Sequence, residues 1–402
     1  MITYADILRA QKRIADAVQL TPCPPSPALS ELTGCDVYCK LDYLQRTGSF
    51  KERGARNALM QLDKATCRGV IAASAGNHAL ALAYHGKLLG IPVTVVMPRF
   101  APMIKVTTCR RLGANVVLHG DDFATARAKA DQIIAHEKLT YIHGYDAPEI
   151  IAGQGTIGLE IIDQVPDLDA VIMPIGGGGL IAGASLAIKA RAPDVQVIGV
   201  ESDAAAGYSA ALQQGSPVNI QTRPTLADGL AVGRVGDNAF AIAKPYIDRV
   251  VTVKEDQIAL AILHLLEQEK SVVEGAGAAP LAALLSGQLA DLAGRRVAIV
   301  LCGGNIDPTV LRRVIDHGMV TLGRLFRFTA VISDRPGGLE RLAHVIASSN
   351  ASVRDISHDR AFAGPDVATV RVDCTVETTD ADHITTLKAA LHDANIATHT
   401  PH

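Results

Sequence analysis

Short Val/Ile-rich runs alternate with longer Ala/Leu-rich stretches over the first 320 residues. The runs at 70–73, 93–97, 115–118, 170–173, 196–200 and 297–301 are apolar at successive positions, not at every second one. Such strands bury both faces, as strands of parallel sheets do under covering helices. Between them, residues 79–89, 104–112, 124–137 and 180–191 read as helices. This alternation predicts an α/β fold with helices on both faces of mainly parallel sheets. The pattern changes near residue 320, where residues 317–324 read as a connector. An alternating strand follows at 325–333, then a turn at Asp334-Arg335-Pro336-Gly337-Gly338, a helix at 339–348, strands at 351–358 and 367–376, a helix at 383–394 and a short strand at 396–400. That order, β-α-β-β-α-β, is the ferredoxin-like split motif. Residues 325–402 are therefore expected to form a separate small domain after a 1–320 domain.

Composition narrows the class. The chain has 402 residues, 48% hydrophobic and 20% charged, enough for a large core and unlike a disordered chain. Its net charge is −3, aromatics are 4% and Trp is absent, which argues against a nucleic-acid partner. The cysteines (Cys23, Cys35, Cys39, Cys67, Cys109, Cys302 and Cys374) are odd in number and scattered, with no C-x-x-C pair. They fit neither a disulfide framework nor a zinc site. There is no signal-like start and no uninterrupted apolar run of about 18 residues. A reduced, cytoplasmic protein without a membrane partner is expected.

Four segments carry candidate chemistry. In Thr47-Gly48-Ser49-Phe50-Lys51-Glu52-Arg53-Gly54-Ala55 a lysine stands among small and apolar neighbours. Held out of water, Lys51 would lose proton affinity and serve as a nucleophilic amine or a base; otherwise it is an ordinary helix-start lysine. Gly176-Gly177-Gly178-Gly179-Leu180 lies between a strand and a helix, where backbone N–H groups and the helix dipole face a phosphate. The same run fits a looser dinucleotide fingerprint, Gly177-x-Gly179-x-x-Ala182 with Glu201 about twenty residues on, so a nicotinamide-dependent dehydrogenase competes. Ser74-Ala75-Gly76-Asn77-His78 is a second strand-to-helix junction, suited to a carboxylate or to simple capping. Cys302-Gly303-Gly304-Asn305 ends a strand, where α/β sheets place ligands; its cysteine is equally a small core filler.

Taken together, these segments resemble the fold-type II pyridoxal-phosphate enzymes of the threonine/serine dehydratase group. The resemblance covers residues 1–320. It includes Thr21-Pro22 with Ser30, Lys40-Leu41-Asp42, Met97-Pro98, Lys105, the stretch 151–160, Asp228-Gly229 and Val273-Glu274-Gly275-Ala276-Gly277-Ala278. It implies two open, mainly parallel α/β lobes, the smaller at about residues 45–145. Lys51 would hold pyridoxal 5'-phosphate as a Schiff base, beside Phe50. Asn77 would bond the phenolic oxygen, and Gly176 to Gly179 with Leu180 the phosphate. Cys302 would face the pyridine nitrogen, with Gly303 and Glu274 also at the cofactor. Ser74, Ala75, Gly76, Asn77 and His78 would line the substrate carboxylate loop. L-threonine and L-serine are the implied substrates, with 3-hydroxyaspartate as a further possibility; a catalytically dead amino-acid sensor would require the Lys51 site to be empty.

Three details refine this. Relatives that racemise serine carry a second serine where Ala75 stands, so an L-specific dehydratase is expected. Gly207 takes the second acidic position of the group's divalent-ion site, leaving Glu201 for a monovalent ion or none. Leu80 and Ala81 replace the glutamine and glycine usual after His78. The tail resembles an ACT domain, which implies pairing into a homodimer or homotetramer. Its amino-acid effector, isoleucine or valine, would sit at Asp334, Pro336, Gly337, Gly338 and Leu339.

Overall fold

The computed structural model describes residues 1–63, 65–359 and 368–399. The chain divides into two compact units, Met1–Asp307 and Pro308–His402. In the first, the strands in chain order are β1 (Asp36–Lys40), β2 (Val70–Ala73), β3 (Val93–Met97), β4 (Asn115–Leu118), β5 (Thr140–Tyr141), β6 (Ala170–Pro174), β7 (Gln196–Ser202), β8 (Arg249–Val253) and β9 (Arg296–Val300). One sheet runs β1-β9-β6-β7-β8 and the other β4-β3-β2-β5. Every neighbouring pair is parallel. The smaller sheet is thus an insertion between β1 and β6. Every side chain of β2, β3 and β6 is buried, which is why these strands read as continuous apolar runs. Among the described residues, no helix is long and apolar enough to cross a membrane.

Three helices fix the interior: Lys51–Leu59, Pro148–Gln164 and Gly179–Arg191. They meet backbone to backbone. A Cβ on Gly153 would stand 2.6 Å from the Gly54 Cα, and one on Gly183 would stand 2.6 Å from the Gly155 amide nitrogen. Helices this close have no slack, since interiors pack at crystal-like density. The middle helix therefore acts as a bracket, holding the start of the Lys51 helix at a set distance from the glycine turn after β6.

A buried charge cluster tightens the bracket. Arg53 donates to Asp42 through Nε and Nη2 (2.8 and 2.6 Å) and to Glu160 through Nη1 and Nη2 (2.5 and 2.8 Å). Lys40 Nζ donates to Glu160 Oε2 at 2.6 Å and to the Thr21 carbonyl at 2.5 Å. Two cations face two carboxylates, and the Thr21 hydroxyl donates to Asp42 at 2.7 Å. Against the cost of burial, Arg53 holds the Asp42 carboxyl below its usual range.

The second unit has β10 (Leu325–Ser333), β11 (Ser352–Asp359), β12 (Thr369–Glu377) and β13 (Ala397–His399) in the order β11-β12-β10-β13, all antiparallel. Helices Gly338–Ser348 and Ala381–Asp393 complete the β-α-β-β-α-β order. Phe328, Ala330, Leu342, Val372 and Leu387 form its core. The expected strands at 367–376 and 396–400 correspond to β12 and β13; residues 367 and 400 lie outside the described residues. One expectation is corrected. The connector at 317–324 is helical up to residue 321, as the end of the helix Pro308–Thr321, which packs against β10. Gly318 is buried within that helix.

Candidate active site

Lys51 opens its helix directly above the segment that leaves β9. The Phe50 amide donates to the Cys302 carbonyl at 2.9 Å, and the Gly304 amide donates to the Gly48 carbonyl at 2.9 Å. Ser49 bridges Gly303. The Lys51 amine donates to the Gly144 carbonyl at 2.7 Å and lies 5.0 Å from the centre of the Phe50 ring. Burial pushes this amine down from 10.5 to about 8, against the opposing pull of Cys302 and Glu274. A much larger share of it is therefore neutral near pH 8 than in a surface lysine. Burial also pushes the Cys302 thiol well above its ordinary value, so it stays neutral. The amine faces a cavity of about 400 Å³ between the two sheets, within the range of small-molecule sites.

The glycine turn forms one wall. Strand β6 ends at Pro174, and the helix starts at Gly179. Gly178, its N-cap, has φ +91°, which L side chains rarely adopt, and has no side chain with which to cap the helix. The first amides of a helix have no carbonyl within it to bond. They and the helix dipole make an anion seat. Glycine here is also a protein requirement. A Cβ on Gly177 would stand 2.3 Å from the Tyr145 ring, and one on Gly179 would stand 2.2 Å from the Tyr145 carbonyl oxygen.

The junction after β2 supplies the opposite wall. Ser74, Ala75, Gly76 and Asn77 line the cavity. Asn77 Nδ2 donates to Glu274 Oε1 at 2.7 Å, and Asn77 Oδ1 accepts from Asn305 Nδ2 at 2.9 Å. Glu274 is 3% exposed and its Oε2 has no partner among the described residues. Burial, with a further push from Asp228, raises this carboxyl to about 7. His78 also lines the cavity, but its Nε2 lies 3.1 Å from the Ile142 carbonyl. Burial and the nearby Lys51 lower this imidazole to about 3, so it is neutral and no acid–base group at working pH.

Glu201 occupies a different environment. Its carboxylate accepts from the Tyr208 amide at 2.6 Å, the Ser209 amide at 2.9 Å and the Ser209 hydroxyl at 2.6 Å, all in the first turn of the helix Gly207–Gln214. This is a helix cap. Among the described residues, no group of three or more His, Cys, Asp or Glu side chains could hold a metal. In the second unit, Asp334, Pro336, Gly337, Gly338 and Leu339 lie at the turn from β10 into the helix Gly338–Ser348, whose N-cap Gly337 has φ +94°.

Sequence reasoning gave no role to several groups around the site. Arg53 and Glu160 clamp the Lys51 helix. Glu52, next to Lys51, is buried, accepts from the Thr47 amide and lies 3.1 Å from His85 Nε2. Lys105 reaches Asp228 at 3.0 Å across the cavity rim.

Residues 14–303 match the family of pyridoxal-phosphate dependent enzymes, and the chain belongs to that family. An L-threonine ammonia-lyase of Thermotoga maritima is 43% identical over 97% of this chain and 97% of its own length. Among solved structures, the processed form of threonine deaminase isoform 2 from Solanum lycopersicum aligns with a TM-score of 0.75 at 37% identity, covering 78% of this chain and 92% of that one. Maize serine racemase aligns with a TM-score of 0.74 at 32% identity, covering 79% and 98%. The cofactor is pyridoxal phosphate, and the nicotinamide reading of the glycine turn is set aside. The residues present fit the group. The cavity offers a lysine amine of reduced proton affinity, an uncapped helix start for its phosphate, and an unpartnered buried carboxyl oxygen.

Proposed function

We propose that this chain is an L-threonine ammonia-lyase, converting L-threonine to 2-oxobutanoate and ammonia and also accepting L-serine. The observation that carries this reading is the Lys51 amine of lowered proton affinity, facing a cavity between an uncapped glycine turn and the Asn77–Glu274 pair. Lys51 would hold the cofactor, with Phe50 beside it. Gly176 to Leu180 would bind its phosphate, Asn77 its phenolic oxygen, and Cys302 with Gly303 its ring-nitrogen edge. When bound, pyridoxal phosphate supplies an electron sink for the electrons released at the substrate's α-carbon.

The chain's own groups do the rest. The amides and hydroxyl of Ser74 to His78 hold the substrate carboxylate at a helix start. The Lys51 amine, when free, would take the α-proton from one face as a general base. The β-hydroxyl leaves as water on gaining one proton, which balances the α-proton taken up by Lys51. The released enamine hydrolyses to the 2-oxo acid and ammonia. The neutral Cys302 thiol would place no anion at the ring-nitrogen edge of the bound group, which would draw less charge into the ring and favour elimination. Ala75 has no proton to deliver to the opposite face, so D-serine forms far more slowly than pyruvate. L-Serine or 3-hydroxyaspartate as the preferred substrate is the runner-up; between threonine and serine, one methyl group in a pocket discriminates by only about 1–3 kcal/mol.

The second unit is read as an ACT domain. Its β10-to-helix turn would bind isoleucine or valine and its sheet would pair subunits into a dimer or tetramer. A threonine rate curve unchanged by millimolar isoleucine counts against that regulation. For the reaction itself, 2-oxobutanoate release from L-threonine is measured in wild type and Lys51→Ala. Saturable release that vanishes in the variant is expected. Cofactor-loaded wild type that releases nothing from threonine overturns the substrate assignment.

A further inference from the structure

Asn77 is held at both ends of its amide, and the direction of that hold is set by a residue with no assigned role. The chain of bonds starts at the Thr47 carbonyl, four positions before Lys51. A carbonyl oxygen only accepts. The atom that reaches it at 2.7 Å is therefore the Asn305 amide nitrogen. The same nitrogen also lies 2.9 Å from the Asn77 side chain, so the Asn77 atom there is the acceptor Oδ1. Asn77 Nδ2 then points the other way, and one of its two protons goes to Glu274 Oε1 at 2.7 Å. Asn305 itself is wedged against the turn before Lys51. Gly48 sits at φ +78°, and a Cβ on it would come within 2.5 Å of Asn305 Oδ1.

We propose that Asn305 is a positioning residue that fixes the polarity of Asn77, so that Asn77 presents only an N–H to a ligand in the cavity. The polarity of one backbone carbonyl is transmitted through two amides to the ligand. The consequence rests on the reading in which Asn77 faces the cofactor's ring oxygen. A donor there favours the charged form of that oxygen; a reversed amide would place a carbonyl against it and favour the protonated form. Two holds act on Asn77, one from Asn305 and one from Glu274. Either alone keeps the amide oriented, so their loss is expected to be strongly non-additive.

The test is the pH titration of the bound cofactor's absorbance in Asn305→Leu, Glu274→Gln and the double variant. Cofactor-free melting temperatures are recorded beside it. The double variant is expected to move the midpoint upward by about one unit beyond the sum of the singles, tenfold in proton affinity. Asn305→Ser in the Glu274→Gln background keeps a hydroxyl donor and is expected to bring the midpoint back toward that of Glu274→Gln alone. Should leucine prevent folding, Asn305→Ala against Asn305→Ser in the same background makes the same comparison. Additive shifts, or a lowered melting temperature with an unmoved titration, overturn the proposal. Asn77→Ala separates the two layers. If it leaves the titration unmoved, Asn77 does not face the ring oxygen and the proposal falls with that reading. If it moves the titration while the double variant stays additive, only the role of Asn305 falls.

Discussion

The Lys51 helix separates two sets of buried ionisable groups with opposite design. On one side, Lys40, Asp42, Arg53 and Glu160 are closed upon themselves, with every charge opposed and hydrogen-bonded. On the other, Lys51, Glu274 and Cys302 face a cavity; Glu274 Oε2 has no partner among the described residues, and burial shifts all three toward their neutral forms. The first set holds a geometry. The second leaves buried ionisable groups shifted from their ordinary values and facing a cavity, as functional sites often do. Substitutions on the two sides should therefore differ in kind. Removing a member of the closed set should cost stability, and removing a member of the open set should cost activity while sparing or raising stability.

The largest effect is expected at Lys51. On the reading proposed above, Lys51→Ala removes both the cofactor's attachment and the general base, and threonine turnover should fall by at least about a thousandfold. Its cofactor-free melting temperature should not fall, because the substitution removes a buried amine whose charge is opposed by desolvation. A loss of activity matched by a loss of fold would erase the contrast between the two sides.

Arg53→Met tests the closed side. It leaves Asp42 and Glu160 buried without their shared cation, and unpairing a buried ion pair costs about 3–5 kcal/mol. Equilibrium denaturation of the cofactor-free protein should show that loss as a lower midpoint at unchanged slope. A change below about 1 kcal/mol would mean that Lys40 alone can carry both carboxylates.

Glu274→Gln tests the open side, with the opposite sign. Folding raises this carboxyl from 4.5 to about 7. The folded state therefore holds the proton more tightly than the unfolded one. The stability tied to that proton is present below about pH 4.5 and is lost as pH rises through 7. Glutamine is neutral throughout. The cofactor-free variant should thus match wild type near pH 4.5 and exceed it above pH 7, by up to about 3 kcal/mol. A pH-independent difference would remove Glu274 from the open set.

The same contrast explains what could be read in the sequence. Lys51 was legible because its flanking glycines and small residues are contiguous, and the β6 turn because four glycines are adjacent. Strands β2, β3, β6 and β9 announced themselves by continuous apolar runs. The closed cluster left no local trace, since Arg53 meets Asp42 across 11 positions and Glu160 across 107. β5 is two residues long, and β8 is only half-buried at most positions, so neither shows a periodicity of its own. The role of Glu201 was hidden for a related reason. An acid at a strand end looks the same in sequence whatever it meets, and only the fold brings the Tyr208 and Ser209 amides to this one.

The smallest effect concerns the bridge at the cavity rim. Lys105 and Asp228 lie 3.0 Å apart, but the Asp228 side chain is 61% exposed. Such a pair contributes about 0–1 kcal/mol, so neither Lys105→Met nor Asp228→Asn should move the melting temperature much. Their influence should appear instead at Glu274, which Asp228 pushes up and Lys105 pulls down. Asp228→Asn should shift the pH at which the Glu274-dependent stability is lost toward acid, and Lys105→Met should shift it toward alkali. Both shifts should shrink in high salt, because exposed charges are screened within about 10 Å at 0.1 M ionic strength. The two halves of one ion pair would then act in opposite directions on a third group, as charges acting through space do and a shared mechanical role does not. Shifts of the same sign would show that the bridge acts by holding the two lobes together.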